Sequence, residues 1–386
     1  MLQQAASISL TPPGVVVDHL PARSGCYVGS PSLALLPSGA CVASHDLFGP
    51  GTTEHQRGVT RIFRSENRGA NWHRLADVSP AFWSSLFTHR NALYLMGTDR
   101  HHGQVVIRRS DDGGATWTEP GDPRSGLLTD GGQFHTAPVP VLVNCGRVWR
   151  AVEDASNGTE WGLRYSPMMF SAPEEADLLD RRNWTLSNVL PHDRAWLGGR
   201  FGGWLEGNAV ATPDGRVINL LRVDYFPGNR AAWTEVSADG RTLSFDPGSG
   251  FIELPGGPTK FTVRRDPVGG FYWTLVNDVP PHYAGGNAAL IRNTLALARS
   301  VDLKNWDVRS VVLHHPDVAA HGFQYADWLF DGDDIVAAVR TAFDDECGGA
   351  HKAHDANFLT FHRISRFRDL TPADSVVDHA LLASSQ

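Results

Sequence analysis

Ser65-Glu66-Asn67-Arg68-Gly69-Ala70-Asn71-Trp72 and Ser110-Asp111-Asp112-Gly113-Gly114-Ala115-Thr116-Trp117 are two copies of one pattern, Ser-x-Asp/Asn-x-Gly-x-x-Trp. Each follows a β-like run, and its chemistry is that of a hairpin turn. The Asp or Asn side chain caps backbone N–H groups, Gly supplies a positive φ, and Trp packs back on the strands. Two degenerate copies follow, Ser237-Ala238-Asp239-Gly240 without the Trp and Ser300-Val301-Asp302-Leu303-Lys304-Asn305-Trp306 one residue short. Ser171 to Trp184 reads as a fifth copy with an insertion. These residues build turns at the edges of sheets, and no catalysis is expected of them.

The octapeptide resembles the Asp-box of sialidase-like β-propellers. Between the copies a second unit recurs, strand–tight turn–strand. Its turns are Pro37-Ser38-Gly39, Asn144-Cys145-Gly146, Pro213-Asp214-Gly215, Asp266 to Gly270 and Asp331-Gly332-Asp333, and a further hairpin joins Ser84–Thr88 to Ala92–Met96. Each hairpin is followed by another that carries the octapeptide or its relic. The expectation is an all-β, six-bladed propeller of four-stranded blades, each roughly 50–70 residues long. A seven-bladed count is the alternative, with two blades fused between Ala137 and Gly203. Gly14–Leu20 is expected to pair near Asn357–Ile364 and close the ring, so that 1–386 forms a single domain.

Composition narrows the function. Charged residues make up 20% of the chain and hydrophobic ones 41%, and there are 39 Gly, 24 Pro and 12 Trp. That balance suits a globular protein rich in turns. A net charge of −8 opposes binding to nucleic acid, which needs a basic surface. No apolar run approaches the roughly 20 residues of a membrane span. Cys26, Cys41, Cys145 and Cys347 show no metal-type spacing and read as reduced thiols. With no signal sequence in the first residues, the expected location is cytoplasmic, or outside the cell after removal of a leader.

In a propeller, the starts of inner strands and the ends of second strands share one face around the central channel, where several blades build one site. Inner-strand starts here carry Trp83, His135, Glu206, Lys260 and Tyr325. Second-strand ends carry His45-Asp46, His101, Glu153, Asp224 and Asp344. Aromatic, His and acidic groups dominate, and they differ from blade to blade, which favours one asymmetric site. Arg150, Arg222 and Arg340 hold comparable places on second strands among apolar residues. A guanidinium fork there suits a carboxylate on the substrate, or else an internal acid.

Sialidases open with an Arg-Ile-Pro motif that supplies one of three arginines to sialic acid. The stretch similar to it here is Tyr27-Val28-Gly29-Ser30-Pro31-Ser32-Leu33, with Gly29 at the Arg position. The acid of sialidases falls near the end of the next strand, which reads Ala43-Ser44-His45-Asp46-Leu47. The Gly-Ser-Pro-Ser and Ser-His-Asp stretches also resemble propellers acting on L-rhamnose-α-1,4-D-glucuronate, in which an early His is catalytic; His45 is the matching position. That resemblance implies a lyase at a uronic acid. His45 would be the base, its tautomer fixed by Asp46; His135, Tyr225 or Tyr325 would protonate the leaving oxygen, and the arginines would clamp the carboxylate.

Trp83, Glu206, Lys260 and His101 complete the expected substrate contacts. No cofactor is required, and a divalent metal, calcium or zinc, is allowed at His354 and Asp355. The partner is an oligosaccharide or polysaccharide carrying a carboxylate. Two further readings stand beside the lyase. One is a sialidase-like exo-glycosidase, which needs a Tyr–Glu pair such as Tyr225 or Tyr325 with Glu206. The other is a glycan-binding propeller without catalysis.

Overall fold

Residues 10–377 are described by the computed structural model. Six antiparallel sheets follow one another along the chain. Blade I comprises Tyr27–Leu35, Cys41–Phe48, Thr60–Ser65 and His73–Val78. Blade II comprises Phe82–His89, Ala92–Thr98 and Val105–Ser110. Blade III is built on Arg147–Asp154 and Ser166–Pro173, blade IV on Phe201–Ala211, Val217–Tyr225 and Arg230–Val236. Blade V comprises Thr262–Arg265, Tyr272–Asn277, Thr294–Ser300 and Trp306–His314. Blade VI comprises Gly322–Asp331, Asp334–Ala342 and Phe358–Ile364, and its fourth strand is Val15–His19 from the other end of the chain. Val15 pairs with Phe361 and His19 with Phe358, the closure expected from the sequence. The fold is a six-bladed β-propeller.

The octapeptide turns share one hydrogen-bond scheme. Ser65 Oγ accepts from the Gly69 N–H at 2.9 Å, Asn67 Oδ1 accepts from the Asn71 N–H at 2.9 Å, and Trp72 Nε1 donates to the Gly69 carbonyl at 3.0 Å. Ser110, Asp112, Gly114, Thr116 and Trp117 repeat it. In the shortened copy Trp306 Nε1 donates to the Leu303 carbonyl, and in the copy with an insertion Trp184 Nε1 reaches Leu178.

Two blades depart from the expected strands for reasons visible in the chain. The strand leading into the Asn144-Cys145-Gly146 turn is not continuous. Instead Phe134–His135 and Leu142–Asn144 pair separately with Arg147–Asp154, because Pro138 and Pro140 supply no N–H between them. The outer edge of blade II holds no fourth strand: Pro120, Gly121, Pro123 and Gly126 break the segment, leaving a single bridge from Leu127 to Val106. Apolar seams fill the spaces between blades, such as Ala34, Val42 and Ile62 of blade I against Leu86, Leu93 and Leu95 of blade II. All four cysteines are free.

Candidate active site

Four inner strands carry the same irregularity. The pairing register shifts between Val28 and Pro31, Phe82 and Ser85, Leu205 and Asn208, and Gln324 and Asp327. The second residue of each interval is Gly29, Trp83, Glu206 or Tyr325. The last three have left-handed backbones, with φ of 49°, 56° and 54°. For side chains of this size such a backbone costs about 1–3 kcal/mol each, and bulges re-aim side chains where a site is built. All four residues line one cavity of about 220 Å³ at the channel mouth, together with Asp46, His101, His135, Arg340 and His354. The larger cavity of about 530 Å³ at the opposite mouth is walled mainly by inner-strand residues such as Leu33, Leu86, Val139 and Leu329.

Tyr325 and Glu206 form the centre of the site. Tyr325 Oη donates to Glu206 Oε1 at 3.0 Å, and Arg222 Nη1 donates to Glu206 Oε2 at 2.9 Å. Arg222 Nη1 is also 3.3 Å from Tyr325 Oη, and its Nε donates to the Pro258 carbonyl. Burial alone would raise the Glu206 carboxyl, but the charges of Arg222 and His135 outweigh it and hold the group below its ordinary range. Glu206 is therefore ionised at neutral pH and poised to accept the Tyr325 proton.

Two more guanidiniums converge on Tyr325. Arg292 lies 5.6 Å from its ring centroid and Arg340 5.2 Å; Arg340 also covers Phe48. Both are buried, and burial lowers both, Arg340 to about 10. Arg292 donates to Gln324 Oε1 and the Ala289 carbonyl, Arg340 to the His354 carbonyl. Among the described residues neither has a carboxylate partner. Both feel the Glu206 carboxylate, and Arg340 also Asp355, from beyond ion-pair distance, so their charge is only partly compensated; of the two, Arg340 lines this cavity.

Asp46 faces this group from blade I. Its side chain is buried; Oδ1 accepts from Thr60 Oγ at 2.7 Å, and Oδ2 has no hydrogen-bond partner. Burial raises the carboxyl to about 7, so it is largely protonated under mildly acidic conditions. A protonated acid beside an ionised Glu206 is a division of roles set by environment.

The expected residues fall into three groups. Trp83, Glu206, Tyr325, His101, His135, Arg340 and His354 line the cavity. His135 is held by Glu153, with Nδ1 2.8 Å from Oε2, and its ring stands edge-on to Trp83. Arg222 lies just beneath, on Glu206. Lys260 and Arg150 are buried in the barrel wall. Lys260 Nζ donates to Thr262 Oγ and the Ala326 carbonyl, and burial lowers it to about 8. Arg150 donates to the carbonyls of Ala137 and Ala151, so its fork is used by the backbone.

His45 does not suit the role of base. It is fully buried, with Nδ1 on the Asp46 carbonyl and Nε2 on Asp18 Oδ2, both at 2.9 Å. Strand alternation turns it toward the closing strand, and its neighbour Asp46 into the cavity. The metal expectation at His354 and Asp355 meets a similar obstacle: Asp355 is already taken by His354 at 2.7 Å, Lys352 at 3.1 Å and His351 at 3.2 Å. Arg292 and Trp161 were not anticipated. Trp161 stands over Arg222, 5.4 Å from the guanidinium carbon.

No protein-family model matches the chain. No curated protein matches it by sequence. Solved structures match its fold. An α-L-arabinanase of Penicillium chrysogenum complexed with arabinobiose is 15% identical with a TM-score of 0.56, covering 92% of this chain and 98% of its own. A Hadza microbial sialidase is 12% identical with a TM-score of 0.62, covering 92% and 69%. An α-L-arabinofuranosidase of Fusarium graminearum in complex with an iminosugar inhibitor is 12% identical with a TM-score of 0.59, covering 94% and 99%. At these identities the likeness is one of fold.

Proposed function

We propose that the protein is a sialidase-like exo-glycoside hydrolase acting on a terminal sugar that bears a carboxylate. The observation that carries this reading is the Tyr325–Glu206 hydrogen bond of 3.0 Å in a cavity shared with Asp46. The sialidase and arabinan-degrading enzymes that share the fold make glycoside hydrolysis the favoured class of reaction.

In the first step Glu206 takes the Tyr325 phenol proton while the oxygen attacks the anomeric carbon. Asp46 gives its proton to the leaving oxygen, so the glycosidic bond breaks as the Tyr–glycosyl bond forms. In the second step the Asp46 carboxylate takes a proton from water, which attacks the anomeric carbon. The Tyr325 oxygen departs and recovers its proton from Glu206. Two displacements return the original anomeric configuration.

A neutral nucleophile suits a sugar whose anomeric carbon carries a carboxylate, because an anionic nucleophile would be repelled. Arg340, which lines the cavity with no acid at ion-pair distance, provides the compensating charge for that carboxylate. Gly29 stands where sialidases have an arginine. A Cβ at Gly29 would lie 2.5 Å from the Asp46 carbonyl oxygen, so no larger residue fits there, and Arg340 is the cation on that side. The test is release of fluorophore from 4-methylumbelliferyl glycosides of sialic acid, glucuronic acid and L-arabinofuranose. Turnover of the first, lost on Tyr325→Phe, supports the reading; turnover of neither acidic glycoside overturns it.

A further inference from the structure

At the rim of the cavity, Glu54, His55 and His101 bring one ligand atom each to within 4.8 Å of one another. Glu54 lies in the loop after the second strand of blade I, and His101 follows the second strand of blade II. Their backbones are tied together, the His101 N–H donating to the Glu54 carbonyl at 2.8 Å. Glu54 is oriented by the Gly49 N–H, which donates to Oε2 at 3.1 Å and leaves Oε1 toward the histidines. From Oε1 the distances are 3.2 Å to His55 Nε2 and 3.5 Å to His101 Nδ1.

The two separations from Glu54 are close to the edge length of a zinc tetrahedron, and the two histidine nitrogens lie within 4.8 Å of each other. With metal–ligand bonds of about 2.0–2.1 Å, two ligands of a tetrahedral ion stand about 3.4 Å apart. His101 Nδ1 is buried without a well-formed hydrogen bond, and Glu54 Oε1 stands 3.5 Å from it. The two imidazoles lie against one another, with centroids 4.5 Å apart and ring planes 26° apart. His101 is packed edge-on against Trp83, at 4.7 Å, and so has little freedom to turn away.

We propose that Glu54, His55 and His101 form a binding site for a zinc-type divalent cation, with the fourth position turned toward the cavity that Glu54 and His101 line. Two nitrogen donors with one carboxylate favour zinc over calcium or magnesium, which prefer all-oxygen sites. Water or a hydroxyl of the bound sugar would fill the open position. The cation would join the loop of blade I to blade II beside Asp46 and Trp83.

The inference stands apart from the hydrolase reading, because its test uses no substrate. The full chain, stripped with chelator and desalted, is titrated with zinc chloride by calorimetry and with cobalt(II) by absorbance. About one equivalent is expected to bind, with the strong visible bands of tetrahedral cobalt. His55→Ala changes an exposed side chain and should fold normally. It is expected to weaken zinc binding at least about tenfold, the loss typical of damage to a metal site, and to abolish those bands. His354→Ala should leave binding unchanged. No saturable binding by the parent chain, or undiminished binding and spectrum in both His55→Ala and His101→Ala, would overturn the assignment.

Discussion

Tyr325 Oη stands 3.0 Å from Glu206 Oε1 although 119 residues separate them in the chain. Both sit at the same point of their inner strands, where the register slips and the backbone turns left-handed. Arg222, opposite Leu205 in the adjoining strand, then locks the pair from below. Strain that would otherwise be lost stability is thus spent on aiming two side chains at one another across the channel.

The pair should fail as a unit. Tyr325→Phe removes the oxygen that would form the covalent bond, and Glu206→Gln removes the acceptor of its proton. Each is expected to lower kcat at least about a hundredfold, and the double variant little further, since effects of residues acting together are not additive. Steady-state kinetics on a fluorogenic acidic glycoside, with circular dichroism to verify folding, measures this. Independent, multiplying losses would count against the pairing.

Asp46 makes the pH dependence specific. As an acid with its proton leaving near pH 7, it should give activity that falls as pH rises through about 7, and Asp46→Asn should remove most activity. The same burial has a signature in stability. The folded-state pKa lies above the unfolded one, so the native state holds the extra proton between about pH 4 and 7. Stability should therefore fall as pH rises across that window and level off above it. Asp46→Asn should be more stable than the parent at pH 8, and a chemical denaturation series against pH tests the sign.

Arginine-to-lysine exchanges should separate two populations. Arg340→Lys loses the planar fork beside Tyr325 and is expected to raise KM and lower kcat/KM at least about tenfold with little change in Tm, as happens when bidentate recognition is lost. Arg150→Lys removes bonds to two buried carbonyls and should cost about 1–3 kcal/mol of stability with turnover retained. Thermal melts beside kinetics decide between them; the opposite pattern would reverse the assignments.

His45 is expected to act as a latch of the ring. Its Nε2 holds Asp18 on the closing strand, and Asp18, although burial opposes it, is kept at about 2 by His45 and Arg61. His45→Ala should lower stability by about 1–3 kcal/mol while kcat stays within about twofold, since a buried partner is removed without touching the cavity. A large loss of kcat in a well-folded His45→Ala protein would return the base to this residue.

Most of the architecture was legible because turns declare themselves. Gly at a left-handed position, Asp or Asn capping the turn, and Trp folding back leave a signature, whole or degenerate, in five of the six blades. The site was legible only to within a residue or two. Inner-strand starts and second-strand ends led to Trp83, Glu206, Tyr325 and Arg340, but strand phase decided between His45 and Asp46, and the bulge after Val28 hid that phase. Arg292 escaped because it precedes the third strand of blade V, after the irregular segment following Asn277, where no periodicity points to it. Arg150 looked like Arg222 because both lie among apolar residues; only the carbonyls around Arg150 set it apart.

The central claim, that Tyr325 is the nucleophile of a glycoside hydrolase, is tested most directly by trapping. A 3-fluoro-sialosyl fluoride forms the glycosyl–enzyme bond readily and hydrolyses it slowly. After brief incubation and peptide mapping by mass spectrometry, the account predicts one added glycosyl mass on the peptide containing Tyr325, absent from Glu206→Gln under the same brief exposure. A label on another residue, or no label alongside the ultraviolet absorbance of an unsaturated uronate from glucuronate-terminated glycans, would contradict it.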